Sequence, residues 1–217
     1  MNWPGRDRWL ALLHTAGATR AASDWYDRLT KAYGEPHRHY HNHQHIAECL
    51  AEFDQARHLA KEPVAVELAL WFHDAVYDPK AGDNEERSAG LAIQCLTECG
   101  ITGLLTDTVA RLVMATKNHE VGNDADAAVM MDVDLSILGR EEKRFMEFEE
   151  QIRREYAWVP AAVFGPKRAE ILQRFLARER IFAADWFRDK YEQQARRNLE
   201  ASINRLRRLA LLDSTRK

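Results

Sequence analysis

Between Pro63 and Pro79 the chain reads PVAVELALWFHDAVYDP, and this stretch constrains the fold more than any other. Val64, Val66, Leu68, Ala69, Leu70, Trp71, Phe72, Ala75 and Val76 leave a helix through it almost no polar face. A helix that is apolar all round must be covered all round, so a central element with other helices packed on it is expected. His73 and Asp74 stand side by side in that wall. An ionised carboxylate there is costly unless it is paired, hydrogen-bonded or bound to a metal. Two readings of the doublet stand: a helix-end His–Asp pair satisfied by backbone and neighbouring side chains, or part of a metal site.

Elsewhere the apolar residues recur with helical rather than alternating period. The pattern predicts helices near 6–16, 20–34, 41–60, 63–77, 84–98, 104–119, 125–138, 141–157, 166–177 and 179–210, with prolines and glycines mostly at their ends. Only AAVMMDVDLSIL is ambiguous between helix and strand. The expectation is an all-α, single-domain protein, since 217 residues suffice for one sizeable core. Residues 38–138 would carry the site segments, and the helices over 141–210 would pack on them. Asp83 is the expected N-cap of the helix beginning NEERSA, with Glu86 three residues on as its capping-box partner. The final segment, DWFRDKYEQQARRNLEASINRLRRLALL, is amphipathic and charge-rich. It reads as a solvated helix packed through one stripe, with a homodimer interface as the alternative use of that stripe.

A formal net charge of -3 gives no reason to expect a nucleic-acid polymer or an anionic membrane surface as partner. No apolar run approaches the roughly 20 residues of a membrane-spanning helix. The opening MNWPGRDRWLALLHTAG lacks the apolar region of a secretory signal, so a cytoplasmic location is expected. Cys49, Cys95 and Cys99 are too few and too scattered for a disulfide framework, and Cys95 and Cys99 read as small core residues.

Ligand-type residues recur in two more segments. RHYHNHQHIAECL contains four histidines, of which His41 and His45 are spaced i, i+4 and share a face if both are helical. His39 would lie outside the helix or at its start, and His43 would point away into solvent. His14, His37 and His58 have no partner pattern and read as surface groups. VMMDVDLSILG places Asp132 and Asp134 in another apolar run, on roughly opposite sides of a helix, so at most one faces a given site. Nitrogen and oxygen ligands of this mix suit zinc, manganese, iron or magnesium rather than copper or an iron–sulfur cluster.

The ordered set His45, His73-Asp74 and Asp134 resembles the signature of the HD superfamily of metal-dependent phosphohydrolases. The stretches YHNHQHI, WFHDAVYDP, DNEERSA and DVDLSILG resemble especially those of a bacterial family of predicted HD phosphohydrolases, and together they cover most of the chain. The resemblance implies a helical HD-type domain and an enzyme. His45, His73, Asp74 and Asp134 would hold a divalent ion, with Mn, Mg, Zn, Fe, Co and Ni not distinguished. One ion is expected and a second remains open. The substrate would be a nucleotide or another small phosphate ester, cleaved by water activated at the metal. A more distant similarity to cyclic nucleotide phosphodiesterases makes His41 the general acid for the leaving oxygen and favours Asp134 over Asp132. Asn42 would orient His41 or cap a helix. Glu85 would take a proton from the attacking water or act only as a first-turn acid. Arg87, Lys117 and His119 are candidates for phosphate or substrate contacts, with surface and helix-end roles as their alternatives. Competing functions are a catalytically inactive nucleotide- or metal-binding regulator and an HD-fold di-iron oxygenase.

Overall fold

The computed structural model describes residues 3–20, 23–117 and 123–214. The protein is all-α: α1 (Arg6–Thr15), α2 (Ser23–Tyr33), α3 (His43–Ala56), α4 (Pro63–Phe72), α5 (Asn84–Glu98), α6 (Leu104–Ala115), α7 (Ala125–Leu135), α8 (Glu142–Glu155), α9 (Ala161–Leu176), α10 (Asp185–Phe187) and α11 (Gln193–Ser214), with no strand among the described residues. The ambiguous AAVMMDVDLSIL is helical, as α7 and a 3-10 turn over Ser136–Gly139. The chain divides into two compact units, Met1–Asp134 and Leu135–Lys217. Among the described residues no helix is long and apolar enough to cross a membrane.

In the first unit α4 is the central helix, and every residue from Ala65 to Phe72 is buried. Pro63 opens it, at a position whose N–H would have no intrahelical partner. The Asp126 carboxylate, from α7, accepts hydrogen bonds from the Lys61 and Glu62 N–H groups at 2.7 and 3.2 Å, placing an anion where the helix dipole favours one. Helices α1, α3, α5 and α6 pack round α4. Trp71 takes Trp3 and Trp9 edge-on at 5.3 and 5.2 Å between ring centroids, and Phe72 packs against Trp9 and Trp25. Glu67, the one acid on this helix, is buried and bound by Arg8 Nε at 2.8 Å and by Arg57. Cys95 and Cys99 are buried, as expected of core residues.

In the second unit α8 buries Phe145, Phe148 and Ile152, together with Glu149. The Glu149 carboxylate accepts from Arg168 of α9 at 2.5 Å and from Ser202 of α11 at 2.8 Å, so one buried acid ties three helices. The predicted helix over 179–210 is broken: α10 is a single turn, Arg188–Glu192 is a π-helical turn, and only then does α11 begin. The wider turn lets Tyr191 join Phe182 and Phe187 in one aromatic cluster. Gly139 lies directly against it, where a Cβ would fall 2.5 Å from Tyr191 Cβ and 2.8 Å from its carbonyl oxygen. Only glycine permits that approach. Helix α9 starts at Ala161, ahead of the predicted 166, and carries Pro166 within it.

Candidate metal centre

Asn42 sets where α3 begins. Its backbone is extended, its Oδ1 accepts from Gln44 N at 2.8 Å, and its Nδ2 donates to His39 O at 2.7 Å. This is an N-cap with both ends of the amide engaged by backbone, the capping alternative of the two expected for Asn42. A helix starting at His43 also overturns the shared helical face expected for His41 and His45. His41 precedes the cap and arrives through a turn, its ring stacked on Tyr77 at 4.1 Å and 5.9 Å from the His45 ring. His43, expected in solvent, is half-buried, with Nε2 2.7 Å from Thr30 O and the ring edge-on to Trp3. His45 lies in the first turn of α3 and is buried.

The end of α4 explains the position of the doublet. The helix stops at Phe72, five residues before the predicted 77, because other donors take the carbonyls that would have continued it. Leu70 O, which a further turn would offer to Asp74 N–H, accepts instead from His73 Nδ1 at 3.0 Å. Trp71 O accepts from the Tyr33 hydroxyl at 3.0 Å, and Phe72 O accepts from Ala75 N at 2.9 Å. Val76 N, freed from the helix, donates to Ser88 Oγ of α5 at 3.0 Å. Asp74 O and Ala75 O accept from Arg38, and Tyr77 O lies 2.9 Å from His37 Nε2. His37 is therefore exposed yet tied to this turn. With Nδ1 acting as donor to Leu70, the neutral His73 ring carries its lone pair on Nε2.

That nitrogen faces the centre. His45 Nε2 and His73 Nε2 are 3.1 Å apart. Asp74 Oδ2 lies 3.2 Å from the first and 3.1 Å from the second, and Asp134 Oδ1 lies 3.3 and 3.6 Å from them. The imidazoles are buried, while the Asp74 and Asp134 side chains keep 20% and 16% exposure, so the carboxylates form the open side. Of Asp132 and Asp134, the two candidates on α7, it is Asp134 that reaches both rings. Four lone-pair atoms converging in this way need a cation between them, a proton or a metal ion. An ion about 2.0–2.2 Å from nitrogen and oxygen ligands spaces them by about 3.0–3.6 Å, which the set fits.

His45, Cys49, His73 and Asp134 each place a ligand atom within 4.8 Å of the others, a group that could hold a metal ion. Sequence reasoning missed Cys49, although its i+4 spacing from His45 on a buried helix face was the available signal. Its Sγ lies 3.6 Å from Nδ1 and 3.8 Å from Nε2 of His45, nearly equidistant and hence far off the Nε2 lone-pair direction. An ion on that lone pair would sit more than about 4 Å from the sulfur, against about 2.3 Å for a zinc–thiolate bond. In this geometry Cys49 backs the ring and leaves ligation to the nitrogen and oxygen atoms.

The electrostatics follow from the convergence. Burial opposes a charge on His45, yet Cys49, Tyr40 and hydrogen bonds to Asp134 and Asp74 hold its pKa well above 6.5. Burial likewise opposes a charge on His73, and Asp74 and Asp134 raise its pKa well above 6.5. The Asp74 carboxyl, although burial disfavours its charge, is pulled well below 3.8 by His73, His41 and His45. In the ion-free protein the imidazole contributions to stability are complete below pH 6.5 and are lost as pH rises through the raised values. The Asp74 contribution is complete above pH 3.8 and is lost as pH falls through its lowered value. A metal ion displaces the imidazole protons, so its affinity is expected to rise as pH climbs from 6.5 through the raised imidazole values. Thermal melts in chelator should lose stability over that range, and melts with zinc or manganese should hold or gain it. A metal-induced shift independent of pH would contradict this.

Glu85 is half-buried at the start of α5. Asp83 occupies the N-cap position, but its side chain makes no capping hydrogen bond, so the expected capping box does not form. Asn84 does the anchoring, accepting from Asp78 N at 3.0 Å and donating to Asp78 O at 2.9 Å. Arg87 is exposed, 3.9 Å from Asp83 on its own helix. The Lys117 ammonium pairs with Glu86 and donates to Gly82 O at 3.0 Å, joining the end of α6 to the start of α5. His119 lies outside the described residues. Comparison of the chain with protein-family models, with curated proteins and with solved structures finds no match.

Proposed function

We propose that the first unit is a metal-dependent phosphohydrolase of the HD type, acting on a nucleotide or another small phosphate ester. The observation that supports it is the convergence of His45 Nε2, His73 Nε2, Asp74 Oδ2 and Asp134 Oδ1, each within 3.6 Å of a neighbour and open on the carboxylate side. These four residues would hold the ion. Bound there, a divalent ion supplies Lewis acidity and lowers the pKa of its water to about 7.

The chain's own groups do the rest. His73 Nδ1 is locked on Leu70 O, which orients the ring and increases the basicity of Nε2. Cys49 and Tyr40 wall the His45 ring, Tyr40 at 4.7 Å between centroids, and so limit water on that side. His41 stands beside the ligands on the face of Tyr77, where its imidazolium can give a proton to a leaving alkoxide. His41 also lies close enough to Asp74 to be one of the groups that lower the Asp74 pKa. General acid help of this kind is worth roughly 10²–10⁴ in rate.

The test is elemental analysis of the purified protein, followed by phosphomonoester and phosphodiester panels with added Mn, Mg, Co, Ni or Zn. Hydrolysis that chelator removes and one of these ions restores is the expected result. Bound metal without hydrolysis on a broad panel would favour the regulator, and iron with oxygen uptake would favour the oxygenase.

A further inference from the structure

Arg38 sits behind the proposed centre with its side chain 1% exposed. Its Nη1 donates to Asp74 O at 2.6 Å and to His41 O at 3.2 Å, its Nη2 donates to Ala75 O at 3.0 Å, and its Nε donates to Glu35 Oε2 at 2.9 Å. The Tyr33 and Tyr77 rings lie 5.2 and 5.6 Å from its Cζ. Glu35, its carboxylate partner, is 44% exposed. Burying a guanidinium costs several kcal/mol unless its hydrogen bonds are well made. Here three of them end on main-chain carbonyls of two separate segments, the turn before α3 and the turn after α4.

We infer that Arg38 is a positioning residue of the centre, its planar fork fixing the His41 turn against the Asp74–Ala75 turn. The inference rests on the metal-centre reading above. Asp74 and Ala75 lie beyond the end of α4, so their carbonyls have no intrahelical donor and Arg38 is the donor that fixes their direction. One nitrogen shared between Asp74 O and His41 O holds the backbone of a ligand and that of the proton donor in register. Tyr77 adds to this, stacked on His41 and within reach of the Arg38 cation. Lysine keeps the charge but has no planar fork, so it cannot serve carbonyls on both turns in one geometry.

The experiment compares full-length wild type, Arg38→Lys and Glu35→Gln by circular dichroism, by zinc and cobalt affinity, and by amide hydrogen exchange of the metal-free proteins. Arg38→Lys should keep its helical signal and bind metal about 10–100-fold more weakly, the usual effect of losing an outer partner of a ligand. Its cobalt absorption should change in shape, and exchange should accelerate over residues 38–42 and 73–77 but not in α6. An unchanged affinity with exchange raised uniformly would overturn the inference, because a purely structural arginine loosens the fold without altering the site. If wild type takes up no metal, the metal-centre reading fails, and the exchange pattern still decides whether Arg38 clamps the two turns. If Arg38→Lys does not fold, the surface substitution Glu35→Gln decides. Metal affinity weakened severalfold with local acceleration supports the clamp, and no change in either overturns it.

Discussion

His73→Ala is expected to empty the centre. It removes one converging nitrogen and also the Nδ1 donor that holds Leu70 O where α4 stops. Metal affinity should fall by more than the about 10–100-fold that loss of an outer partner costs, because a direct ligand is lost. Zinc or manganese content after dialysis should drop from near one per chain to background, and any metal-dependent phosphatase activity should vanish with it. Stability should fall as well, through loss of the Leu70 hydrogen bond, worth about 0.5–1.5 kcal/mol, and of the stabilisation that the charged His73 ring gives the ion-free protein. Full metal content in the variant would remove His73 from the ligand set. The reciprocal control is Lys117→Ala, whose ammonium is engaged by Glu86 and Gly82, and which should keep its metal.

Two residues earlier, within α4, Trp71→Ala should act on the fold rather than on the site. Trp71 is fully buried, edge-on to Trp3 and Trp9, and its indole N–H has no hydrogen-bond acceptor among the described residues. Truncation leaves a cavity among aromatic rings that cannot collapse, at a cost of about 3–5 kcal/mol. For a chain of this size that corresponds to a melting temperature lower by about 6–20 °C. Trp71→Phe should cost much less, because it keeps most of the ring volume and forfeits no hydrogen bond. If both variants melted alike, the aromatic packing would not be what holds α4. Together the His73 and Trp71 variants separate what α4 does for the site from what it does for the fold.

Much of this architecture was legible in the sequence. Period and polarity mark α4, α5, α6 and α8 to within a few residues at most ends, because burial of one face is a local property repeated every turn. The run from Val64 to Phe72, apolar but for Glu67, located the central helix for the same reason. The misreadings share a cause. The helix expected over 63–77 ends at Phe72 because Tyr33, Ala75 and the His73 ring supply the competing donors, and Arg38 and Ser88 hold the chain beyond it. The helix expected over 179–210 breaks so that Tyr191 can reach Phe182, Phe187 and Gly139. In both cases some of the deciding partners, Tyr33 and Arg38 for the first and Gly139 for the second, lie far along the chain, where periodicity carries no information.

The candidate site divides in the same way. His41, His45, the His73-Asp74 doublet, Asp132 and Asp134 stand out in the sequence because ionisable groups in apolar segments are costly without a partner, while the choice of His45 and Asp134 among them rested on the resemblance to HD phosphohydrolases. Their convergence could not be read there. It depends on Asp126 seating α7 against the start of α4, on Asn42 starting α3 two residues before its first inward histidine, and on the turn at Phe72 that swings Asp74 towards both rings. Nor could it be read that His41 reaches the centre through a turn and a Tyr77 stack. The sequence by itself determined an all-helical chain and which side chains must find partners. Only the tertiary structure decided which partners they found, because hydrogen-bond direction and ligand spacing at ångström scale are set by backbone segments that meet in space and not along the chain.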